Sequence, residues 1–303
     1  MTKPAYAAPP RPSTSPLRRL QSALYRHRTS QVAILLTPPF GWFGIVYLGS
    51  LVVLFISAFW YLDPLTSAIV HEPTLKNFAQ ILTDPVYRVV AIRTIAIAGI
   101  VTALDILLAL PIAYFMARIA GGRTRAVLYA AVLLPLWASY LVRVYAWRVI
   151  LSQGGFIDWL FSLVGLRGVS LGYSDLSMII VFTYLWLPYM ILPVYAGFER
   201  IPTSLLEASS DLGAKSATTV RRVVLPLALP AIAAGSIFTF SLTLGDYITP
   251  SLISNTQFIG NVVYESQGVA GNVPFAAAFA LVPVLVMAIY LLVMRKLGAF
   301  EAI

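Results

Sequence analysis

The stretch Ser204–Pro226 reads SLLEASSDLGAKSATTVRRVVLP. It is polar and rich in small residues, and it lies between two apolar segments, Met178–Phe198 and Leu227–Leu244. Segments of this kind approach the roughly 20 mostly apolar residues that cross a bilayer core. Working outward, four more appear: Val32–Trp60, Ile92–Met116, Ala126–Val142 and Ala276–Met294. The 303 residues are 59% hydrophobic and 11% charged, with a mean hydropathy of +0.83, whereas a soluble domain carries about 25% charged residues. Hydrocarbon cannot hydrogen-bond an open backbone, so helices are the expected form. Alternating ten-residue segments of a membrane barrel are absent. The expectation is an all-α membrane protein with six transmembrane helices, and Ser204–Pro226 is the loop between spans 4 and 5.

The net charge of +9 raises nucleic acid as a partner, but its distribution argues against one. Fifteen of the 21 Lys and Arg fall on one side of the six spans: Lys3, Arg11, Arg18, Arg19, Arg26 and Arg28 before span 1, Arg118, Arg123 and Arg125 after span 2, Arg200, Lys215, Arg221 and Arg222 around the polar loop, and Arg295 and Lys296 after span 6. The other side holds Lys76, Arg88, Arg93, Arg143, Arg148 and Arg167. The bias places both termini and the polar loop in the cytoplasm. Residues 1–30 read as a basic cytoplasmic tail without stable order, and 31–303 as a single transmembrane domain. The first apolar run is too long for the core of a cleaved signal peptide and reads as an anchor. Cysteine is absent, and His27 and His71 lie far apart outside the spans, so no metal site is expected.

Prolines and glycines punctuate the spans. Pro38-Pro39 predicts an irregular entry to span 1, and Pro111 a kink in span 2. Phe156–Leu166 is too short to cross and reads as a helix at the outer interface. No internal repeat is visible, although inverted repeats are common in secondary transporters.

The polar loop reads as two short helices. Ser204 and Glu207 have the spacing of a capping box. Gly213 suits the left-handed residue that ends a helix. Ser216 is placed to cap a second helix that carries Arg221 and Arg222 into Leu225-Pro226. The outcome is a stiff knob of small residues (Ala208, Ser209, Ser210) joined to span 5. One reading is an ordinary amphipathic loop helix. The other is a knob that enters a groove on a partner and passes its motion to the membrane.

Within the spans, Asp105 lies near the middle of span 2, where a carboxylate costs about 2.5–3.5 kcal/mol on insertion scales. It either bonds a neighbouring helix or lines a solute path. Ser236, Thr239, Thr243 and Asp246 follow at spacings of three, four and three, which predicts one helix face, with Tyr247 beside them. Such a stripe suits a path for a polar or cationic solute, and also suits helix packing. Aromatics crowd the outer ends of spans 3 and 4, among them Tyr140, Trp147, Trp186 and Tyr189. They serve as an interfacial belt or hold an ammonium group over their faces. Arg143 beside them argues against a simple cation cage. It is expected to pair with Asp158 or Asp246, or to meet an extracytoplasmic partner. A gradient-driven secondary transporter would use Asp105 and Asp246 as ion sites. No phosphate-binding Gly-x-x-x-x-Gly-Lys-Ser/Thr loop, no nucleophile elbow and no catalytic residue is found.

The spacing Glu207-Ala208-Ser209, Gly213, Val223-x-Leu225-Pro226 resembles the Glu-Ala-Ala loop of ABC importer permeases, with Ser209 as a small substitute at the third position. The segments Ser139–Trp147, Asp211–Leu227 and Gly245-Asp246-Tyr247-x-x-Pro250 are similar to those of spermidine/putrescine permeases, and the resemblance extends from about Arg93 to Arg295. It implies a type I importer permease fold in a bacterial inner membrane. Ser204, Glu207, Ala208, Ser209, Asp211, Gly213, Leu225 and Pro226 would form the loop on which a separate ATPase docks. The partners implied are two ATPase subunits, a second, different permease, and an extracytoplasmic solute-binding protein. The chain would bind no cofactor itself, with ATP and Mg held by the ATPase. A polyamine is the implied solute. Related permeases carry opines, phosphonates or iron on the same scaffold.

Overall fold

A computed structural model describes residues 28–163, 165 and 171–296. The expectations for Arg167 and for the basic tail up to residue 27 lie outside the described residues. The chain divides into two compact units at Ile56/Ser57, where the sequence predicts one domain over 31–303.

In the first unit, α1 (Arg28–Trp42) runs through Pro38 and Pro39. The irregularity expected at those prolines falls later, as a π-helical turn over Phe43–Leu48 that leads into α2 (Gly49–Ser57). The turn is closed by the Gly49 amide donating to the Gly44 carbonyl, five residues back.

The second unit opens with a small hairpin, β1 (Tyr61–Leu62) and β2 (Ile69–Val70), in antiparallel register Tyr61↔Val70. Asp63 shapes its turn by accepting from the Leu65 amide at 3.0 Å and the Thr66 hydroxyl at 2.8 Å. These bonds hold the Asp63 carboxyl below its ordinary range. Helix α3 (Lys76–Thr83) follows, and its Asn77 amide ties back to the carbonyls of Ala58 and Trp60.

Asp84 caps α4 (Pro85–Tyr114) by accepting from the Val86 amide at 2.9 Å, with Pro85 in the first turn. The helix continues through Pro111 and widens into a π-helical turn over Phe115–Ile119. A proline in a helix interior removes one ladder bond, and the wider turn follows within one helical turn of it.

The expected span Ala126–Val142 is not continuous. Helix α5 (Gly122–Trp137) ends at Ala138, which is extended, and after Ser139 α6 (Tyr140–Leu151) leaves at a bend of 95°. Hydropathy alone favoured one straight helix. Burial of Arg143 and Val144 and the hydrogen bonds of Tyr140 turn the chain instead. A short α7 (Phe156–Leu163) follows, as the sequence predicts.

Helix α8 (Asp175–Arg200) is capped by Ser174, which accepts from the Ser177 amide. The polar loop then gives α9 (Thr203–Asp211) and α10 (Ser216–Thr219). A π-helical turn over Val220–Val224 leads into α11 (Leu225–Gly245). Three helices complete the unit: α12 (Ile248–Ile253), α13 (Ile259–Gly268) and α14 (Val273–Lys296). Five helical stretches of the described residues are long and apolar enough to cross a membrane, Val32–Ser57, Pro85–Ile119, Asp175–Arg200, Ser216–Gly245 and Val273–Lys296, and the bent pair makes a sixth.

The core of the second unit is α4, α8 and α11. Ala109, Ala113, Met116, Met190, Val194, Phe198 and Ala228 form a cluster towards the end that carries α9. Ile97, Val101, Val144, Phe182, Leu185 and Phe258 form another towards the opposite end. Helices α8 and α11 approach closely where they cross. A Cβ on Gly235 would stand 2.7 Å from Met190 Sδ, and one on Gly197 would stand 2.4 Å from Ala231 Cβ. Small residues of this kind let membrane helices pack backbone to backbone.

Candidate functional site

The loop between α8 and α11 is built as a short rigid projection. Pro202 occupies the N-cap of α9 with extended backbone, and no side chain caps it. The expected capping box between Ser204 and Glu207 is therefore not formed. The helix starts two residues earlier than a cap at Ser204 would place it, so Ser204 lies inside its first turn. Ser216 likewise begins α10 rather than capping it. The cap is Lys215, whose carbonyl accepts from the amides of Thr218 and Thr219.

The far end of α9 follows the expectation for Gly213. Gly213 has φ +75°. Its amide donates to the Ser210 carbonyl at 2.8 Å, and the Ala214 amide donates to the Ser209 carbonyl at 3.1 Å. These two bonds are a Schellman motif, which satisfies the last carbonyls of the helix. Ser209 and Thr219 share a hydroxyl hydrogen bond of 2.8 Å that ties α9 to α10. Leu206 packs on the α9-side core cluster. Glu207, Ala208 and Asp211 are exposed on α9. Leu225 and Pro226 open α11.

Two further residues here were not singled out from the sequence. Leu212, beside Gly213, is 88% exposed. It presents a large apolar side chain on the turn that Gly213 fixes. Its signal in the sequence was a lone Leu just before the glycine that stops the helix. Arg118, in the turn after α4, donates from one guanidinium nitrogen to the carbonyls of both Phe198 and Ile201. A cation on the last carbonyls of a helix is also favoured by the helix dipole. Nearby, Arg125 pairs with Glu199 at 3.4 Å, and Tyr195 donates to the same carboxylate. Arg118 carried no signal beyond its place in a basic turn.

At the opposite end the chain leaves α11 at Gly245, and Asp246 is extended (φ −74°, ψ 134°). Asp246 therefore does not continue the stripe of Ser236, Thr239 and Thr243. Its carboxylate starts α12 instead, accepting from the amides of Ile248 at 2.8 Å and Thr249 at 3.2 Å. It also accepts from the hydroxyls of Thr249, at 2.8 Å, and Tyr140. Tyr140 in turn stacks on Trp186, with ring centroids 5.9 Å apart and an angle of 11°. Tyr247 stacks on Tyr264 at 4.9 Å, and Asn261 donates to the Tyr247 carbonyl. Tyr140, Asp246 and Thr249 thus lock α6, α11 and α12 together.

Ser236, Thr239 and Thr243 are buried, and each hydroxyl donates to a carbonyl of its own helix. Arg143 is buried, with no hydrogen-bond partner for Nε or Nη1 among the described residues. It does not pair with Asp246, or with Asp158, which accepts from the Gly154 amide. Asp105 is fully buried, and neither carboxyl oxygen has a partner among the described residues. The structure brings together Tyr140 with Asp246, and Ser209 with the second loop helix. Among the described residues no hydrogen bond joins Asp105 to the hydroxyls of α11.

Comparison with known proteins agrees with this architecture. The family of binding-protein-dependent transport system inner membrane components matches residues 109–298. The inner membrane ABC transporter permease protein YdcU of Escherichia coli K12 is 45% identical over 306 residues, covering 96% of this chain and 97% of that protein. The spermidine/putrescine transport system permease protein PotB of the same strain is 30% identical over 224 residues, covering 73% and 81%. Among solved structures, a bacterial alginate ABC transporter in complex with an alginate pentasaccharide-bound periplasmic protein has a chain similar at TM-score 0.73 and 16% identity, covering 94% and 98%. The inward-facing MetNI methionine ABC transporter is similar at TM-score 0.54 and 20% identity, covering 71% and 95%. These last two show the fold, which is that of type I importer permeases.

Proposed function

This chain belongs to the family of binding-protein-dependent transport system inner membrane components and is a permease subunit of an ABC importer, and we propose that its solute is a polyamine such as putrescine or spermidine. The observation that supports this solute is the 30% identity, over 73% of the chain, to permeases named for spermidine and putrescine. The family membership sets aside a gradient-driven secondary transporter.

The mechanism follows from the two ends of the bundle. An ATPase docks at the cytoplasmic face on α9, where Leu212 and the small residues Ala208 and Ser209 offer a firm, shaped knob. ATP and Mg sit on that ATPase, and this chain supplies no catalytic group. Closure of the ATPases displaces α9 as a rigid body. Gly213 and the Ser209–Thr219 bond pass the motion to α11, and Arg118 passes it to α4. A second permease faces this one across the solute path, and a binding protein delivers the solute to the end where Tyr140 and Asp246 fix the turn after α11. The Lys and Arg bias supports a cytoplasmic position for both termini.

The test is uptake of labelled putrescine by inside-sealed vesicles bearing the complex. Uptake that needs ATP and the binding protein, and survives collapse of the ion gradients, is expected. Uptake of neither putrescine nor spermidine would remove the polyamine.

A further inference from the structure

We propose that Asp105 is the position at mid-depth in the bundle where an ammonium group of the solute is held during passage. This rests on the polyamine reading above. Four observations carry it.

First, the Asp105 carboxyl is fully buried and both of its oxygens lack a hydrogen-bond partner among the described residues. Buried polar groups are nearly always satisfied, and one that is not calls for a reason. Thr102, three residues before it on α4, and Ser236, Thr239 and Thr243 on α11 turn to carbonyls of their own helices.

Second, Asp105 belongs to the stripe of α4 buried between the two clusters. Val101, one turn before it, packs in the cluster with Phe182 and Leu185 of α8, and Ala109, one turn after it, packs in the cluster with Met190. Asp105 therefore stands at the depth of α8 residues 186–189. Since Gly235 of α11 meets Met190, Ser236 and Thr239 come to the same depth.

Third, the helices that cover Asp105 meet over small residues, with Met190 of α8 seated on Gly235 and Ala231 of α11 seated on Gly197. Pro188, at this level in α8, lacks the amide hydrogen for one ladder bond, as do Pro193 in α8 and Pro230 in α11 further along.

Fourth, among the described residues of the five straight spans Asp105 has no acidic competitor away from a helix end. The other acidic residues of the five spans, Asp175 and Glu199, stand at helix ends. Asp246 is already engaged by two amides and two hydroxyls. A carboxylate uncovered in a low-dielectric path attracts an ammonium far more strongly than one in water. The hydroxyls of Thr239 and Ser236, freed from their carbonyls, complete the oxygen ligands that an ammonium takes.

The experiment uses the whole complex in proteoliposomes with its binding protein and labelled putrescine. Asp105→Asn is expected to lower the initial uptake rate at least tenfold while ATP hydrolysis stimulated by the binding protein stays within twofold. Asp105→Glu is expected to keep most of the uptake. Uptake by Asp105→Asn within twofold of the native complex overturns the site and leaves the polyamine reading standing. No uptake of putrescine or spermidine by the native complex overturns that reading, and the ammonium assignment with it. Restoration of uptake in the double variant Asp105→Asn/Arg143→Gln overturns the proposal differently, because the carboxylate then serves Arg143. Thr102→Cys, one turn away in a chain with no native cysteine, guards against an assembly defect. During turnover, putrescine is expected to slow its modification by a cationic thiol reagent at least fivefold, and an unchanged rate contradicts the proposal.

Discussion

Arg118 bridges to Ile201: its guanidinium, in the turn after α4, donates to the carbonyl of the residue that links α8 to α9, and to Phe198 one turn earlier. The two residues are 83 apart in sequence. The contact means that the loop helix is attached to the bundle at three points, through α8, through α11 and through α4.

Arg118→Gln tests that third attachment. A hydrogen bond from a charged donor contributes about 1.5–3 kcal/mol, and here one side chain supplies two. The complex should still assemble, because α9 itself is untouched. Uptake should fall about tenfold while ATP hydrolysis continues, so more ATP is consumed per solute moved. An unchanged ratio of ATP to solute would remove Arg118 from the transmission path.

Gly213→Val should strain the turn, since φ of +75° is open to glycine but an outlier for a β-branched residue. Strain of this kind costs about 1–3 kcal/mol. The protein should insert normally and lose most of its co-purifying ATPase. Gly213→Asn, which tolerates the left-handed region, should retain it. Equal ATPase recovery from both variants would show that the shape of this turn does not matter for docking.

Tyr140→Phe removes one of two hydroxyls from the Asp246 carboxylate and leaves the stack on Trp186 in place. The loss should be about 1.5–3 kcal/mol, seen as a lower unfolding temperature of the purified complex. Thr249→Val should act in the same direction, and the pair should be non-additive because the two hydroxyls also bond each other at 2.6 Å. Full additivity would mean that Asp246 is not their shared anchor.

Much of this was legible in the chain. Apolar run lengths gave five of the six spans, and the spacing from Glu207 to Pro226 placed the loop helices and the left-handed Gly213. Three things were not. Hydropathy cannot see the 95° bend at Ala138–Ser139, because both arms are equally apolar and the bend is set by what Tyr140 reaches 106 residues away. Helical periodicity carried Asp246 onto the stripe of Ser236, Thr239 and Thr243, since nothing local announces that its side chain prefers the amides of Ile248 and Thr249. The capping box failed for a similar reason: Pro202, with its fixed φ and extended backbone, starts the helix before Ser204 can cap it.

The central claim is that α9 is the seat of an ATPase. The chain has no cysteine of its own, so Leu212→Cys places a single thiol on the exposed tip. Replacement of so exposed a side chain should change stability by no more than about 0.5 kcal/mol. A short bifunctional thiol–amine cross-linker applied to native membranes, followed by mass spectrometry of the tagged adduct, reads what stands there. The account predicts an ABC ATPase subunit, with a yield that changes when ATP is bound. An adduct that contains no ATPase, from membranes in which the complex is intact and active, would contradict it.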